Sequence, residues 1–285
     1  MTIQWYPGHI AKAERELKEQ LKRVDVVLEV RDARIPLSTH HPQVNQWVSG
    51  KTRVLVINRV DMITPAVQQL WSSWFEEQGD IPYFTNAQQG QGVREVAQAA
   101  QIAGVEMNQR RGERGMRPRP VRAVVIGFPN VGKSALINRL LGRRIVASAR
   151  RAGVTRQLRW VRISEQIELL DAPGIIPVKL NNQQQGLKLA ICDDIGEASY
   201  DNQQVAVALI EFLKDLEQSY SAELLPASSL VKRYQLDPTS FTGEDYLHTL
   251  ANERYQGNVE RTALQLLNDF RKGLLGKIAL DLPPN

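Results

Sequence analysis

Residues 127–134, GFPNVGKS, constrain the fold more than any other part of this 285-residue chain. They fit the pattern G-x-x-x-x-G-K-[S/T], in which two glycines let backbone amides close around phosphate oxygens. The apolar run 121–127 predicts a strand before the loop, and KSALINRLL predicts a helix after it. Because an anion binds well at a helix N-terminus, strand, loop and helix together predict a phosphate-binding loop rather than an ordinary glycine-rich turn.

Several residues of this region have side chains or amides suited to a nucleoside triphosphate with Mg²⁺. Lys133 supplies a positive charge to the β- and γ-phosphates, and the Ser134 hydroxyl is placed to ligate the metal. Further along, LLDAPG offers Asp171 as a metal contact through water and the Gly174 amide as a γ-phosphate contact. Thr155, between the two motifs, is the expected switch ligand of Mg²⁺. The remaining loop contacts are expected from Asn130, Val131, Gly132 and Ala135.

The stretch LVINRVDM, residues 55–62, carries an N-x-x-D pattern suited to reading guanine. The Asp61 carboxylate can accept both N1–H and the exocyclic amine of guanine, whereas adenine has no such pair of donors. Asn58 can hold N7 of the base and brace neighbouring loops. It ends a predicted strand, which is where α/β sheets bind their ligands. After the next strand, Asn86 and Ala87 form a candidate second base-contacting loop.

The order of these signals is unusual, because both base loops precede the phosphate loop in the chain. The order, and the stretches WYPGH (5–9), VRDARIP (30–36) and GFPNVGKSALINRL, resemble the YlqF/RbgA type of circularly permuted bacterial ribosome-assembly GTPases. The resemblance implies hydrolysis of GTP to GDP and phosphate, and late assembly of the large ribosomal subunit through nucleotide-dependent rRNA binding. It also implies a functional His9, which joins Lys133, Thr155 and Gly174 as candidate catalytic residues, and possible K⁺ coordination by Asn130.

The chain departs from the family pattern at three places. Arg59 stands where lysine is usual in N-K-x-D, although its stem can still pack over the base and its guanidinium can stack on aromatic faces. Ala152 replaces a usual proline, and Ile175 and Ile176 occupy the place of a water-orienting glutamine. Arg59, Ile175 and the thin sequence support for His9 leave open a non-catalytic, nucleotide-gated RNA-binding module. A P-loop ATPase or kinase is a further alternative, against which Asn58 and Asp61 argue.

Hydrophobic patterning predicts an α/β fold with a mainly parallel sheet between helices, followed by a small all-α region. The predicted strands, of which the last two form a hairpin, are 24–30, 53–57, 81–84, 121–127, 158–163 and 166–171. Residues 108–120 lack apolar periodicity and combine glycine, proline and arginine, which predicts the linker that a permuted chain needs. We therefore expect a GTPase domain at 1–178 and a helical RNA- or ribosome-binding domain at 181–285.

Charge is segregated along the chain. Residues 110–162 hold fifteen Lys/Arg and one acidic residue, a net +14, so the rest of a chain whose total is +5 carries −9. A basic block of this kind predicts a polyanion partner, most simply nucleic acid. The resemblance implies that this partner is rRNA and not DNA. Its expected phosphate contacts, extended by three cations near the C-terminus, are Arg110, Arg111, Arg114, Arg117, Arg119, Arg143, Arg144, Arg150, Arg151, Arg271, Lys272 and Lys277.

The compartment is predicted from composition and sequence pattern. The chain has no apolar run long enough for a membrane span and no secretory signal pattern at its N-terminus. The single cysteine, Cys192, cannot form an internal disulfide. We therefore expect a cytoplasmic protein that has no membrane partner. A monomer is expected as well, although none of these features bears on it.

Overall fold

The computed structural model describes residues 15–142, 159–163, 167–171, 182–196, 200–221, 224 and 229–284. Its centre is a six-stranded sheet of order β3-β2-β1-β4-β6-β5. All neighbours pair in parallel except β5 and β6, which form the expected antiparallel pair. The strands are β1 Val26–Asp32, β2 Thr52–Asn58, β3 Pro82–Thr85, β4 Val121–Ile126, β5 Arg159–Arg162 and β6 Ile167–Asp171. The predicted mainly parallel α/β fold is confirmed.

The sheet is buried on both faces because helices cover each side of it. Residues 15–21 are helical (α1) and place Leu17 and Leu21 against Val27 of β1. The opposite face of β1 packs into a larger core that includes α4 and α5. The helices of this half, after α1, are α2 Val44–Trp47, α3 Pro65–Glu77, α4 Val93–Glu113 and α5 Lys133–Leu140. Helix α3 begins after Thr64, whose side chain accepts a hydrogen bond from the Val67 amide.

Strand β1 also buries a charge cluster that its sequence did not lead us to expect. Glu29 is 1% exposed, accepts a 2.7 Å hydrogen bond from Nε of Arg31 and lies 2.9 Å from Nδ1 of His40. Burial by itself would raise the pKa of Glu29, but Arg31 and His40 outweigh it and lower that pKa to about 2. Glu29 therefore remains ionised inside the fold.

The predicted linker 108–120 is wrong in its first half, because α4 continues to Glu113. Residues 108–113 lack an apolar stripe, yet arginine, glutamine and glutamate are good helix formers and cations favour a helix C-terminus. Gly115, at φ +69°, ends the helix: its amide bonds to Gly112 O and the Met116 amide bonds to Arg111 O, each at 2.9 Å. Only residues 114–120 join α4 to β4.

The C-terminal part of the chain is helical, as expected, and packs directly on the sheet half. It contains α6 Gln183–Ile191, α7 Asn202–Ser219, α8 Ser229–Tyr234, α9 Gly243–Arg254 and α10 Val259–Arg271. Leu189 and Leu209 of these helices belong to the same buried cluster as Val30 of β1. The predicted domain boundary near residue 180 lies outside the described residues, and the division into two domains stays a prediction. No helix in the described ranges is long and apolar enough to span a membrane.

Helix α4 contains two glycines whose surroundings differ, which allows a matched test of its packing. A Cβ added at Gly104 would lie 2.0 Å from Cγ2 of Val121, whereas one at Gly112 would meet nothing within 4 Å. We expect Gly104→Ala to destabilise the protein by about 1–3 kcal/mol through overpacking. Gly112→Ala is expected to be neutral or to stabilise by up to about 1 kcal/mol. Urea unfolding of both variants is the measurement, and equal effects would contradict this description of the α4–β4 contact.

Candidate guanine-nucleotide site

The candidate site lies at the carboxyl edge of the sheet, where the ends of four strands meet. Strand register places Asp32, Asn58 and Thr85 side by side at the ends of β1, β2 and β3. Strand β4 ends beside them and leads into the phosphate loop at Gly127. Two chain segments that are far apart in sequence are therefore adjacent in space, as the interpretation of a permuted site requires.

The two glycines of the phosphate loop are required by close contacts. Gly127 has φ +149°, and a Cβ there would lie 2.3 Å from the Val30 carbonyl oxygen. Gly132 has φ +102°, and a Cβ there would lie 2.1 Å from Nδ2 of Asn58. Both conformations and both contacts exclude a larger residue, so the loop backbone can be this compact only with glycine at these positions.

Lys133 begins helix α5 and is folded back over the phosphate loop. Its side chain is buried, and Nζ donates to the carbonyl oxygens of Gly127 at 3.1 Å and Phe128 at 2.7 Å. Ser134 and Ala135 follow in the first helical turn, where amides without helical partners point toward a bound anion. The loop thus combines a helix N-terminus with one cation, a combination that suits phosphate.

Asn58 joins the base loops to the phosphate loop. It is 3% exposed, and its Nδ2 donates to the Val131 carbonyl oxygen at 2.8 Å. Its Oδ1 accepts from Oγ1 of Thr85 and from the amide of Ala87, each at 3.0 Å. One side chain therefore holds three loops together, which is the bracing role expected from the sequence.

Arg59, the departure from the lysine of the family pattern, reaches the phosphate loop. Its backbone is left-handed at φ +65°, and Nη2 donates to the Asn130 carbonyl oxygen at 2.6 Å. Its Nε lies 3.5 Å from Oδ2 of Asp32, and about a quarter of the side chain is exposed. The arginine thus spans the region between the base loop and the phosphate loop while leaving part of its surface accessible.

The other predicted base contacts differ in how far they are already engaged. Asp61 is exposed in a single 3₁₀ turn, so its carboxylate is accessible to a ligand. Asn86 is buried, and its Oδ1 accepts from the amides of Gln88 and Gln89. Since the Ala87 amide bonds to Asn58, Asn86 and Ala87 shape the second loop in this structure, and their contact with the base stays a prediction.

Asn130, the predicted K⁺ contact, connects the phosphate loop to the C-terminal helices. Its backbone is left-handed at φ +56°, and its Nδ2 donates to the Asp193 carbonyl oxygen at 2.6 Å. Asp193 follows α6 and is itself left-handed at φ +65°. In this structure Asn130 therefore stabilises the packing of two regions.

Several predicted site residues cannot be placed. His9, Thr155 and Gly174 lie outside the described residues, as do Ala152, Ile175 and Ile176. The backbone of Asp171 ends β6 and pairs with Val125 of β4, next to the phosphate loop. Their expected roles in metal binding and catalysis stay predictions.

A buried ion pair, which sequence reasoning did not single out, lies at the carboxyl end of β1 beside the site. Asp32 and Arg34 are both 0% exposed, with Nη2 of Arg34 2.7 Å from Oδ2 of Asp32 and Nε 3.0 Å from Oδ1. The same Nη2 donates to the carbonyl oxygen of Cys192 after α6, and the guanidinium lies over the ring of Phe270 in α10. An aspartate and an arginine directly after a buried strand were the available signal.

The pKa values of Asp32 and its neighbour Asp194 are shifted in opposite directions. For Asp32, burial would raise the pKa, but Arg34 and Arg59 outweigh it and hold the pKa below its usual value. Burial and the nearby Asp32 raise the pKa of Asp194 well above its usual value. Both carboxyl oxygens of Asp194 are buried and have no hydrogen-bond partner among the described residues, so Asp194 is the neutral member of the two.

A six-stranded, mainly parallel sheet with a lysine-bearing phosphate loop, braced by the asparagine of an N-x-x-D loop, defines a P-loop protein of the guanine-nucleotide-binding class. A family model described as 50S ribosome-binding GTPase matches residues 122–233. Ribosome biogenesis GTPase A of Bacillus cereus is 36% identical, over 99% of this chain and 95% of that protein. Ribosome biogenesis GTPase A of Bacillus pumilus is also 36% identical, over 99% of both chains.

Among solved structures, GNP-bound YlqF from T. maritima matches with a TM-score of 0.67 at 20% identity, over 96% of this chain and 99% of that one. At that identity the likeness shows the fold. The full-length sequence relatives show more: the chain belongs to the ribosome biogenesis GTPase A family. The expected family and the expected class of enzyme, a GTP hydrolase, are confirmed.

The contact from Arg59 to the phosphate loop predicts how this position tolerates change. Arg59→Ala removes a charged donor, and hydrogen bonds of this kind contribute about 1.5–3 kcal/mol. We expect GDP to bind about 10- to 100-fold more weakly. Arg59→Lys keeps a cation within reach of Asn130 O and should lower GDP affinity less than threefold. Fluorescence titration with labelled GDP measures both, with Arg94→Ala, an exposed site on α4, as control; equal losses for both Arg59 variants would contradict this role.

The raised pKa of Asp194 predicts a pH-dependent stability difference. Its folded-state pKa lies above the unfolded value of about 3.9. The stability that the protonated carboxyl of Asp194 contributes is therefore fully present below the unfolded-state pKa, and it is lost as pH rises through the folded-state pKa. Asp194→Asn cannot ionise, so its melting temperature should exceed that of wild type by more at pH 8.5 than at pH 5.

Thermal unfolding followed by circular dichroism at several pH values measures this difference. Asp215→Asn, at an exposed position on α7, controls for the loss of one surface carboxylate. A melting-temperature difference for Asp194→Asn that does not change between pH 5 and pH 8.5 would contradict the assignment.

Proposed function

We propose that this GTPase acts in late assembly of the large ribosomal subunit, and that it binds rRNA when loaded with GTP and leaves after hydrolysis. The observation that carries the nucleotide part is the junction at Asn58. It fixes the guanine-reading loop, the second base loop and the phosphate loop relative to one another. A nucleotide spans these three loops, so fixing their spacing selects a ligand with both guanine and phosphates.

Lys133 and the α5 N-terminus are the groups proposed to hold the phosphates. The two carbonyl contacts of Nζ are exchanged for phosphate oxygens when a nucleotide enters, so the lysine needs little rearrangement. Asp61 reads N1–H and the exocyclic amine of guanine, and the stem of Arg59 packs over the base. Asn86 and Ala87 keep the second loop in place beside it.

Magnesium is proposed as the metal, because Ser134 in the first turn of α5 and Asp171 at the end of β6 are oxygen donors on neighbouring elements. The ion would neutralise charge that develops on the phosphates. Thr155 and Gly174 would complete the γ-phosphate contacts, and His9 would assist hydrolysis. Oδ1 of Asn130 is the atom proposed for K⁺, since Nδ2 is already bonded to Asp193 O.

The ribosomal partner is proposed from the names of the relatives and from the charge of the chain. Part of that charge is used within the fold. Arg119 pairs with Asp25 at 2.8 and 2.9 Å, and Arg271 donates to carbonyl oxygens that end α6. Other cations must therefore bind the rRNA. The protein is proposed to act in the cytoplasm as a monomer.

GTP hydrolysis by the purified protein, with and without large ribosomal subunits and beside an ATP control, tests the proposal. We expect guanine-specific turnover that the subunits stimulate by at least tenfold, because subunit contact orders the switch. Lys133→Ala should abolish turnover in both conditions and serves as the control for contaminating hydrolases. Guanine-specific turnover that subunits do not change would overturn the ribosomal partner, and unstimulated GTP binding without turnover would favour the nucleotide-gated RNA-binding module.

Asp61 gives a test of base reading that does not depend on the ribosome. Asp61→Asn replaces an acceptor by an amide that can donate to the second carbonyl of xanthine. We expect GTP affinity to fall by about 100-fold or more and XTP affinity to rise, since a site built to pair polar groups rejects a mismatched ligand strongly. Competition binding with both nucleotides measures the exchange. Unchanged GTP affinity would mean that Asp61 does not read the base.

A further inference from the structure

A cleft of about 590 Å³ lies at the amino edge of the sheet, opposite the nucleotide site. It is lined by residues that precede β1 and β2 and by the last turns of α4. The nucleotide loops follow the carboxyl ends of the same strands, so the two sites are separated by the length of the sheet. We call this feature the amino-edge cleft; the residues that matter here are Lys51, Met107, Arg110, Arg111, Arg114 and Met116.

The amino-edge cleft exists because α4 is longer than the strands it crosses. Helix α4 has 21 residues and is about 32 Å long, whereas the seven residues of β1 span about 23 Å. The helix begins next to β3, where a Cβ on Gly92 would lie 2.1 Å from Phe84 O, and it ends beyond the amino ends of β1 and β2. Its last turns therefore project past the sheet and form one wall.

The positive charge of the cleft exceeds what the fold itself uses. Asp25 on the lining is neutralised by Arg119, and Arg111 is held by hydrogen bonds to the Arg117 carbonyl oxygen. Among the described residues, no ion pair involves Lys51, Arg110 or Arg114. The half charge at the C-terminal end of a helix accounts for about one stabilising cation. Glu106 also lines the cleft, so its four cations Lys51, Arg110, Arg111 and Arg114 leave an excess of three positive charges (4 − 1). After the helix end is counted, about two remain for an anionic partner.

The lining of the cleft includes apolar as well as basic side chains. Met107 is half-buried against the core, and Met116 is 40% exposed at the end of α4. A thioether makes favourable contacts with aromatic rings, and an arginine guanidinium stacks on them. A nucleobase is such a ring, and in RNA it is accessible in this way only where it is unpaired.

We propose that the amino-edge cleft binds a single-stranded RNA segment, with phosphates on Lys51, Arg110 and Arg114 and an unstacked base against Met107 and Met116. This assignment rests on the proposed function, since it names the surface that contacts rRNA. RNA binding is thereby placed on the GTPase region itself, on helix α4. This helix lies between the base loops and the phosphate loop in the chain. An acidic protein segment would pair with the charges, but it would not use the contacts that Met107 and Met116 offer to a base.

The test uses the full-length protein loaded with GTP analogue, a fluorescein-labelled 12-nucleotide single-stranded RNA and a 12-base-pair RNA duplex. The variant Lys51→Gln/Arg110→Gln/Arg114→Gln removes three cations from the cleft. A matched control, Arg15→Gln/Arg94→Gln/Lys232→Gln, removes three exposed cations elsewhere. Fluorescence anisotropy is measured at several salt concentrations, together with GDP affinity and thermal unfolding.

We expect the cleft variant to bind the single strand at least tenfold more weakly, with a logarithmic salt slope reduced by about 2. GDP affinity should stay within twofold, because the nucleotide loops lie at the other edge. The control should keep the wild-type slope. Met116→Gln, at an exposed position, should weaken single-strand binding about threefold or more without changing the salt slope or the binding of the duplex.

Three outcomes would overturn the proposal. In the first, the cleft variant and the control lose affinity equally, so that only net charge matters. In the second, the duplex binds as tightly as the single strand and Met116→Gln has no effect. In the third, an oligoglutamate peptide of equal charge binds wild type as tightly as RNA does and loses affinity in the cleft variant. If subunit-stimulated hydrolysis persists alongside any of these outcomes, the proposed function stands. The amino-edge cleft is then not the surface that contacts rRNA.

Discussion

The ion pair between Asp32 and Arg34 is the interaction on which both the site and the C-terminal packing depend. Two charges at 0% exposure are costly to desolvate, and good geometry with further hydrogen bonds is needed to offset that cost. Here the pair has both: Asp32 also faces Arg59 of the guanine loop, while Arg34 reaches a carbonyl after α6 and the ring of Phe270. Removing Asp32 would leave the buried guanidinium of Arg34 without its ion-pair partner. Removing Arg34 would leave Asp32 with the longer 3.5 Å contact to Arg59.

Circular permutation changes which contacts must be made across space. The base loops precede α4 in the chain and the phosphate loop follows it, so no short connection holds them in register. Strand pairing of β1 with β4 and the hydrogen bonds of Asn58 perform that task. Asn130 adds a second connection, from the phosphate loop to the segment after α6. The phosphate loop therefore touches the C-terminal helices directly, besides any route through the switch.

The strands, the caps and the phosphate loop could be predicted because their signals are local. Alternating strands and helices, Thr64 before Pro65 and the glycine spacing of residues 127–134 each reflect backbone requirements within a few residues. The end of α4 was missed because hydrophobic periodicity reports burial, and residues 108–113 project past the sheet without an apolar stripe. Their helix is supported by propensity, by the cap at Gly115 and by hydrogen bonds of Asn108 and Arg111 to residues 117–119. Glu29 and Asp194 were missed because a charged residue in an apolar run is read as exposed.

The sequence by itself determined the class of nucleotide, the order of the loops and the family, since these depend on residue types at fixed spacing. The tertiary structure decided which polar groups are available to a ligand and which are already hydrogen-bonded within the fold. Four residues with the chemistry of ligand contacts are each engaged in the fold by a neighbour from a distant segment: Ala87, Asn130, Arg119 and Arg271. Asn86 is instead engaged within its own loop. Hydrogen-bond partners that lie tens of residues away cannot be read from spacing, because register and packing bring them together only when the chain is folded.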